Sequence, residues 1–172
     1  MIRVLTALMM IFAAPAFAED FTFTAIEGHE IKLSDYRGGP VMVVNTASLC
    51  GFTYQYAQLQ ALHEDLAAKG LTVLAVPSDD FNQEYGSNEE VKEFCEVNYA
   101  LTVPMTEVEQ VTGRAAHPFY RWLADEHGFR PGWNFYKALL DADGRFVVGF
   151  GSTDEPDSER VLSAIRKLLP SG

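Results

Sequence analysis

The sequence is poor in cysteine and has no C-x-x-C pair. Its 172 residues contain two cysteines, Cys50 and Cys95. The missing pair argues against disulfide-isomerase activity of the usual thioredoxin kind. The four histidines are not spaced as metal ligands, and no glycine-rich phosphate loop is present. We therefore expect neither a metal nor a cofactor.

Positive charge is also scarce. The chain has 13 Lys and Arg against 24 Asp and Glu, a formal net charge of −11. Such an acidic surface argues against nucleic acid and against anionic membrane surfaces as partners. Long apolar runs are missing too, because the longest, residues 4–14, is too short to cross a bilayer. We expect no integral membrane segment in the mature protein.

The amino terminus has the pattern of a secretory signal. Arg3 gives a positive start, an apolar run follows, Pro15 interrupts it, and residues 16–18, A-F-A, form a small-x-small cleavage site. The sequence predicts a signal peptide over residues 1–18 and a single domain over residues 19–172. Export, which we expect to be into a bacterial periplasm, would place both cysteines in an oxidising compartment.

The apolar patterns beyond the signal predict an α/β domain. A strand, a helix and a strand in succession imply a parallel strand pair. The order fits a thioredoxin-like fold, a central mixed sheet flanked by helices, extended by an N-terminal β-hairpin. The predicted elements are strands at 21–26, 30–33, 41–44, 71–76, 133–140 and 145–150, and helices at 56–69, 87–98, 119–123 and 157–169.

Cys50 lies where a buried strand leads into a helix. The apolar run 41–44 is followed by polar residues 45–48, and Thr53 is a suitable N-cap for the helix beyond. A helix N-terminus favours a cysteine thiolate, which is a nucleophile. On the residues alone, Cys50 could equally be a small apolar residue at a strand end or half of a structural disulfide.

Two motifs resemble signatures of the glutathione peroxidase family. Residues 45–62, N-T-A-S-L-C-G-F-T-Y-Q-Y-A-Q-L-Q-A-L, are similar to the segment around its peroxidatic residue. Residues 133–137 match its W-N-F-x-K signature. The resemblance extends from about residue 21 to residue 169, and it implies a thiol peroxidase that reduces hydrogen peroxide and organic hydroperoxides.

The resemblance also implies roles for residues of the site. Cys50 would be the peroxidatic nucleophile, Gln83 and Trp133 would donate hydrogen bonds, and Asn134 would complete the polar ring. Neutral donors stabilise a thiolate before attack and the leaving oxygen afterwards. The loop F-N-Q-E-Y-G is one residue shorter than the family's F-G-x-Q-E-P-G, so Asn82 could replace Gln83. On residue type alone, Trp133 fits a core position, Asn134 a turn and Gln83 a solvated loop.

The second cysteine bears on the subtype. Cys95 ends E-E-V-K-E-F-C, which resembles the helix that carries the resolving cysteine in thioredoxin-dependent members. The implied cycle passes from a Cys50 sulfenic acid to a Cys50–Cys95 disulfide, with unwinding around residues 88–98 if the sulfurs lie too far apart. The alternative is a core residue on a helix face. Lys137 is expected to support its strand or a nearby carboxylate.

Several functional alternatives stay open at this point. The reductant would be a thioredoxin-like protein or glutathione, and Cys95 favours the former. The chain could instead be a redox relay or sensor that passes the disulfide to a partner, or a non-catalytic thioredoxin-like binding module. Tetrameric relatives carry an extra segment before W-N-F, whereas here only residues 125–132 separate a helix from Trp133. We expect a monomer, with a weak dimer as the alternative.

Overall fold

The computed structural model describes residues 19–170, so the predicted signal peptide lies outside the described residues. The described part of the chain is an α/β unit with a short antiparallel hairpin and a four-stranded sheet. Its elements are β1 (Thr22–Thr24), β2 (Glu30–Lys32), β3 (Val41–Thr46), α1 (Gln55–Leu66), β4 (Thr72–Pro77), α2 (Asn88–Tyr99), α3 (Pro118–His127), β5 (Lys137–Leu140), β6 (Phe146–Phe150) and α4 (Glu159–Arg166).

The central sheet has the strand order β4-β3-β5-β6. Strand β3 runs parallel to β4 and antiparallel to β5, and β5 pairs antiparallel with β6. Every residue of β3 is buried, as its unbroken apolar run predicts for a strand covered on both faces. The structure confirms the predicted thioredoxin-like fold with a mixed sheet and an N-terminal hairpin.

Helices cover the two faces of the sheet and form two apolar cores. One core packs α1, α2 and α4 against the sheet, with Tyr56, Leu59, Val91 and Ile165 fully buried. The other packs the hairpin and α3 against the opposite face. Both cysteine side chains belong to the first core, so Cys50 and Cys95 lie on the same side of the sheet.

The strand predicted over residues 133–140 is shorter than expected. Of the predicted strand, only residues 137–140, which form β5, pair with β3 as a strand, and the W-N-F-Y segment before them forms a turn. Phe135 has a left-handed backbone with φ of 61°, and its N–H donates to the Asn45 carbonyl at 2.6 Å. Within this segment Phe135 is fully buried by a turn rather than by a strand, whereas Trp133 is 40% exposed. Periodicity does not distinguish a buried turn residue from a buried strand residue.

The predicted helices differ from the observed ones mainly at their ends. Helix α1 ends at Leu66, and a 3-10 helix, Ala67–Lys69, carries the chain to Gly70, whose φ is 101°. Helix α4 begins later than predicted because the Ser158 side chain accepts from the Val161 N–H and caps it.

Within residues 19–170, no helix has the length and apolar character needed to cross a membrane.

Candidate active site

The loop between β3 and α1 presents Cys50 at the end of the sheet. The Thr53 hydroxyl is close to the carbonyl oxygens of Ala47 and Ser48 and donates most directly to the Cys50 carbonyl. The prediction that Thr53 caps α1 was wrong: Tyr54 precedes the helix, and no side chain caps it. The hydroxyl of Thr53 instead closes the loop on itself, which fixes the backbone of Cys50.

The Cys50 side chain is 7% exposed and is a free thiol. The Phe52 backbone N–H donates to its Sγ atom at 3.4 Å, so the sulfur has a hydrogen-bond donor within its own loop. The neighbouring Leu49 and Tyr54 side chains are 53% and 46% exposed. The sulfur therefore lies just below an apolar surface that solvent reaches.

Two of the predicted polar residues are in contact. The Asn134 side-chain nitrogen donates to the Gln83 Oε1 atom at 2.9 Å, and Asn134 is fully buried. The Gln83 carbonyl accepts from the Leu49 N–H at 2.9 Å, which ties the Gln83 loop to the residue before Cys50. Asn82 is exposed and has a φ of 55°, so Gln83 rather than Asn82 faces Asn134.

Trp133 lies at the rim of this polar pair. Its side chain is 40% exposed, and its ring packs against Phe81 with centroids 5.3 Å apart. The Trp133 carbonyl accepts from the Asn45 side-chain amide at 3.0 Å. The Asn45 Oδ1 atom in turn accepts from the Tyr136 N–H at 3.2 Å. Asn45, at the end of β3, thus holds the W-N-F-Y turn.

Sequence reasoning missed Asn45 and Glu84. Glu84 is 8% exposed, and its Oε1 atom accepts from the backbone N–H groups of Ser48 and Tyr85 at 3.0 and 2.9 Å. Burial raises the pKa of the Glu84 carboxyl above its ordinary value. Two features of the sequence could have indicated these residues. Asn45 is a polar residue at the end of an apolar strand, and Glu84 is a carboxylate next to Gln83 in a short loop.

Lys137 supports the active-site loop from the interior of the protein. It is fully buried, and its Nζ atom donates to the Gln55 Oε1 atom at 2.6 Å and to the Asp154 carbonyl at 2.7 Å. Burial lowers the pKa of the Lys137 ammonium to about 8. Of the two predicted alternatives, support of the strand or of a nearby carboxylate, the second is not seen, because the hydrogen-bonding partners are an amide and backbone carbonyls. Gln55 begins α1. Lys137 therefore positions the start of the helix that follows Cys50.

Cys95 occupies a different environment on α2. The side chain is 1% exposed and is also a free thiol. Burial raises its pKa to about 12; the nearby Tyr56 hydroxyl opposes this rise, and the charge of Glu84 adds to it. The structure thus holds Cys95 as a protonated thiol, unbonded to Cys50.

A family model described as glutathione peroxidase matches residues 18–124 of this chain. A glutathione peroxidase of Lactococcus lactis subsp. cremoris is 42% identical over 155 residues, which covers 87% of this chain and 98% of that protein. The chain belongs to the glutathione peroxidase family. As a member, it is a thiol peroxidase, an oxidoreductase that reduces peroxides.

Two further comparisons place the chain within the glutathione peroxidase family. A hydroperoxy fatty acid reductase of Synechocystis is 39% identical and covers 87% of this chain and 94% of its own length. The crystal structure of Trgpx in its apo form superposes with a TM-score of 0.67 at 32% identity, covering 88% of this chain and 97% of that one.

Across residues 19–170, no three His, Cys, Asp or Glu side chains cluster as metal ligands.

Proposed function

We propose that Cys50 is the peroxidatic residue and that Gln83, Trp133 and Asn134 complete its site. The Cys50 thiolate attacks the terminal peroxide oxygen, the O–O bond breaks, and the second oxygen leaves as water or an alcohol after taking a proton. Cys50 becomes a sulfenic acid. The observation that carries this proposal is the Asn134–Gln83 hydrogen bond, made by a loop that is itself bonded to the residue before Cys50.

The resolving step is assigned to Cys95. Its thiolate attacks the Cys50 sulfur, the S–S bond forms, the S–O bond breaks, and hydroxide leaves as water. Helix α2 buries Cys95 as a thiol, so α2 has to unwind locally before this step. A thioredoxin-like protein or glutathione then reduces the disulfide by thiol exchange. The dithiol reductant fits better because the product is an intramolecular disulfide.

The proposed substrates are hydrogen peroxide and organic hydroperoxides. The Leu49, Tyr54 and Trp133 side chains, all large, apolar and exposed, border the site and would accommodate an apolar substituent. The name of the Synechocystis relative points to the same class of substrate. Residues 1–18 remain a predicted signal peptide, so we propose a periplasmic enzyme, and we expect it to act as a monomer.

The decisive experiment uses the reduced protein from residue 19 onward with one equivalent of hydrogen peroxide. Stopped-flow consumption should exceed that of free cysteine, and mass spectrometry should find an internal disulfide. The Cys95→Ser variant should stop at the sulfenic acid, whereas Cys50→Ser should not react. Unchanged thiol content in the wild-type protein would refute the assignment and favour a non-catalytic binding module.

A redox relay is the second candidate, and the environment of Cys95 favours it. A resolving thiol held protonated prolongs the life of the Cys50 sulfenic acid, which gives a partner thiol time to react. A Cys95→Ser variant that accumulates a stable mixed disulfide with a partner protein during peroxide exposure would support the relay. Rapid turnover with a dithiol reductant and no trapped partner would support the peroxidase alone.

A further inference from the structure

Glu84 joins the loop of the first cysteine to a residue that packs against α2. Its Oε1 atom accepts from the Ser48 N–H at 3.0 Å and from the Tyr85 N–H at 2.9 Å. Ser48 is two residues before Cys50. The Tyr85 ring packs on Phe94 of α2, with ring centroids 5.6 Å apart. The carboxylate is therefore linked to the Cys50 loop directly and, through Tyr85, to the helix that carries the second cysteine.

The other carboxylate oxygen of Glu84 has no partner. Its Oε2 atom is buried and receives no hydrogen bond from the described residues, and the same is true of the Ser48 and Tyr56 hydroxyls. The Tyr56 hydroxyl lies close to the Cys95 thiol, and the charge of Glu84 acts on both groups. These side chains form a buried polar cluster where the loop after β3, α1 and α2 meet: Ser48, Tyr56, Glu84 and Cys95.

Burial disfavours the ionised form of Glu84 in this cluster. Its side chain is 8% exposed. The two backbone N–H donors at Oε1 favour the carboxylate, but burial outweighs them, so the pKa of the Glu84 carboxyl is raised above its ordinary value. A buried polar oxygen without a hydrogen bond also costs free energy. The folded protein therefore keeps Glu84 ionised at neutral pH only against an energetic cost.

The titratable groups around Glu84 do not offset this cost. On its own loop, the Asp79 Oδ1 atom accepts from the Glu84 N–H at 3.1 Å, and the Asp79 charge raises the Glu84 pKa further. The basic residue of α2, Lys92, is paired with Glu27 at 3.1 Å on the surface. The other titratable groups on the adjoining loop and helices are acidic or neutral: Cys50, Tyr56, Cys95 and Glu96.

We propose that the Glu84 carboxylate promotes the release of Cys95 by favouring an unwound α2 over the folded helix. This inference rests on the peroxidase cycle proposed above, in which Cys95 leaves the core to attack the Cys50 sulfenic acid. Unwinding removes Phe94 and Cys95 from the cluster and admits water to Glu84, so the carboxylate gains the solvation that the folded helix denies it. A protonated Glu84 gains much less, so the helix stays folded.

The chemical step itself is unchanged by this role. The released thiol loses its proton to water, the Cys95 sulfur bonds to the Cys50 sulfur, and the S–O bond breaks. The departing hydroxide takes up a proton and leaves as water. Glu84 touches neither sulfur in this step, and it is a positioning residue that sets how often Cys95 becomes available.

The test measures α2 opening and disulfide formation separately, in the reduced protein from residue 19 onward. Hydrogen exchange of the α2 amides is followed at pH 7 and pH 5, corrected for the intrinsic pH dependence of exchange. Conversion of the sulfenic acid to the disulfide is followed by acid quenching and mass spectrometry after one equivalent of hydrogen peroxide. Glu84→Gln removes the charge and keeps an acceptor for both backbone N–H groups. Glu109→Gln is the matched control, because burial also raises the Glu109 pKa but its charge acts on Tyr120 in the opposite core.

At pH 7, Glu84→Gln should slow exchange of the α2 amides about three- to tenfold and slow conversion to the disulfide by a similar factor. Wild-type α2 should be better protected at pH 5 than at pH 7, because a raised pKa means that the folded helix binds the Glu84 proton more tightly than the unwound one. Cys95 adds little to this difference, since its thiol is mostly protonated in both forms at and below pH 7. Glu84→Gln should lose most of the pH dependence, and Glu109→Gln should follow the wild type.

A second variant tests the link between opening and resolution. Ser87→Ala removes the side chain that caps α2, so it should speed both exchange and disulfide formation. Exchange in Glu84→Gln that is as fast as in the wild type would overturn the proposal. Disulfide formation that stays constant while exchange changes in both variants would also overturn it, because opening would then not govern the release of Cys95. A wild-type protein with the expected exchange pattern but no disulfide would instead refute the resolving role of Cys95.

Discussion

The two cysteines belong to one core but have opposite surroundings. Cys50 lies in a loop held by hydrogen bonds to its backbone. Its Sγ atom accepts from the Phe52 N–H, and exposed apolar side chains lie next to it in the chain. Cys95 lies within a helix, beside Tyr56 and Glu84, and burial raises its pKa to about 12. The fold thus places one thiol just below exposed apolar side chains and keeps the other protonated in the core. Residue type alone gives neither property.

The largest expected difference between the two thiols is in peroxide consumption after either one is replaced by a hydroxyl. Cys50→Ser is expected to slow peroxide consumption by at least about a thousandfold, because the other thiol, Cys95, is buried and held protonated. Cys95→Ser should keep the first turnover, measured by stopped flow with one equivalent of peroxide. Equal losses in the two variants would mean that the division of roles between the thiols is wrong.

Alkylation of the folded, reduced protein should reveal the same division without mutation. At pH 8, iodoacetamide should modify Cys95 about a thousandfold more slowly than an ordinary free cysteine, since a pKa of about 12 leaves little thiolate. Peptide mapping by mass spectrometry would follow each site. In urea both cysteines should react at similar rates, and rapid labelling of Cys95 in the native protein would contradict its burial as a thiol.

Several features of the site around Cys50 could be predicted from the sequence. The apolar run before Asn45 predicted β3, and the resemblance around Cys50 indicated the reactive loop. Thr53 was wrongly placed as a helix cap because its carbonyl partners are set by the loop's tertiary path. The 133–136 segment was wrongly predicted as part of the strand, since its aromatic residues continue the apolar pattern of β5, although only Phe135 of them is fully buried. Glu84 escaped notice because one of its two backbone partners, Ser48, comes from a distant loop.

Lys137 holds the start of the helix that follows Cys50, so replacing it tests what supports the Cys50 loop. Lys137→Met should lower the free energy of unfolding by about 2–3 kcal/mol, because it leaves the buried Gln55 amide oxygen and Asp154 carbonyl without a charged donor. Urea denaturation would measure the loss. Lys69→Met, at an exposed position, is the control and should be close to neutral. Comparable losses in both variants would argue against a specific role for the buried ammonium.

The smallest expected effect concerns His117, on the opposite side of the sheet from both cysteines. Its Nδ1 atom accepts from the Phe119 N–H at 3.2 Å as the cap of α3, and its Nε2 atom bonds to the Thr22 carbonyl at 3.0 Å. Both nitrogens are used by the neutral ring, and burial lowers the His117 pKa below 6.5. The unfolded chain therefore binds a proton more readily, so stability falls as pH drops through the unfolded pKa of about 6.5.

His117→Asn keeps a capping acceptor but cannot titrate in this range. Between pH 7 and pH 5, the wild-type protein should lose more stability than the variant, as measured by urea denaturation at each pH. His29→Asn, in the exposed hairpin turn, should follow the wild-type profile. Identical profiles for wild type and His117→Asn would show that protonation does not break the cap. A difference with no change in peroxide consumption would confine this histidine to the support of the α3 side of the fold, away from both thiols.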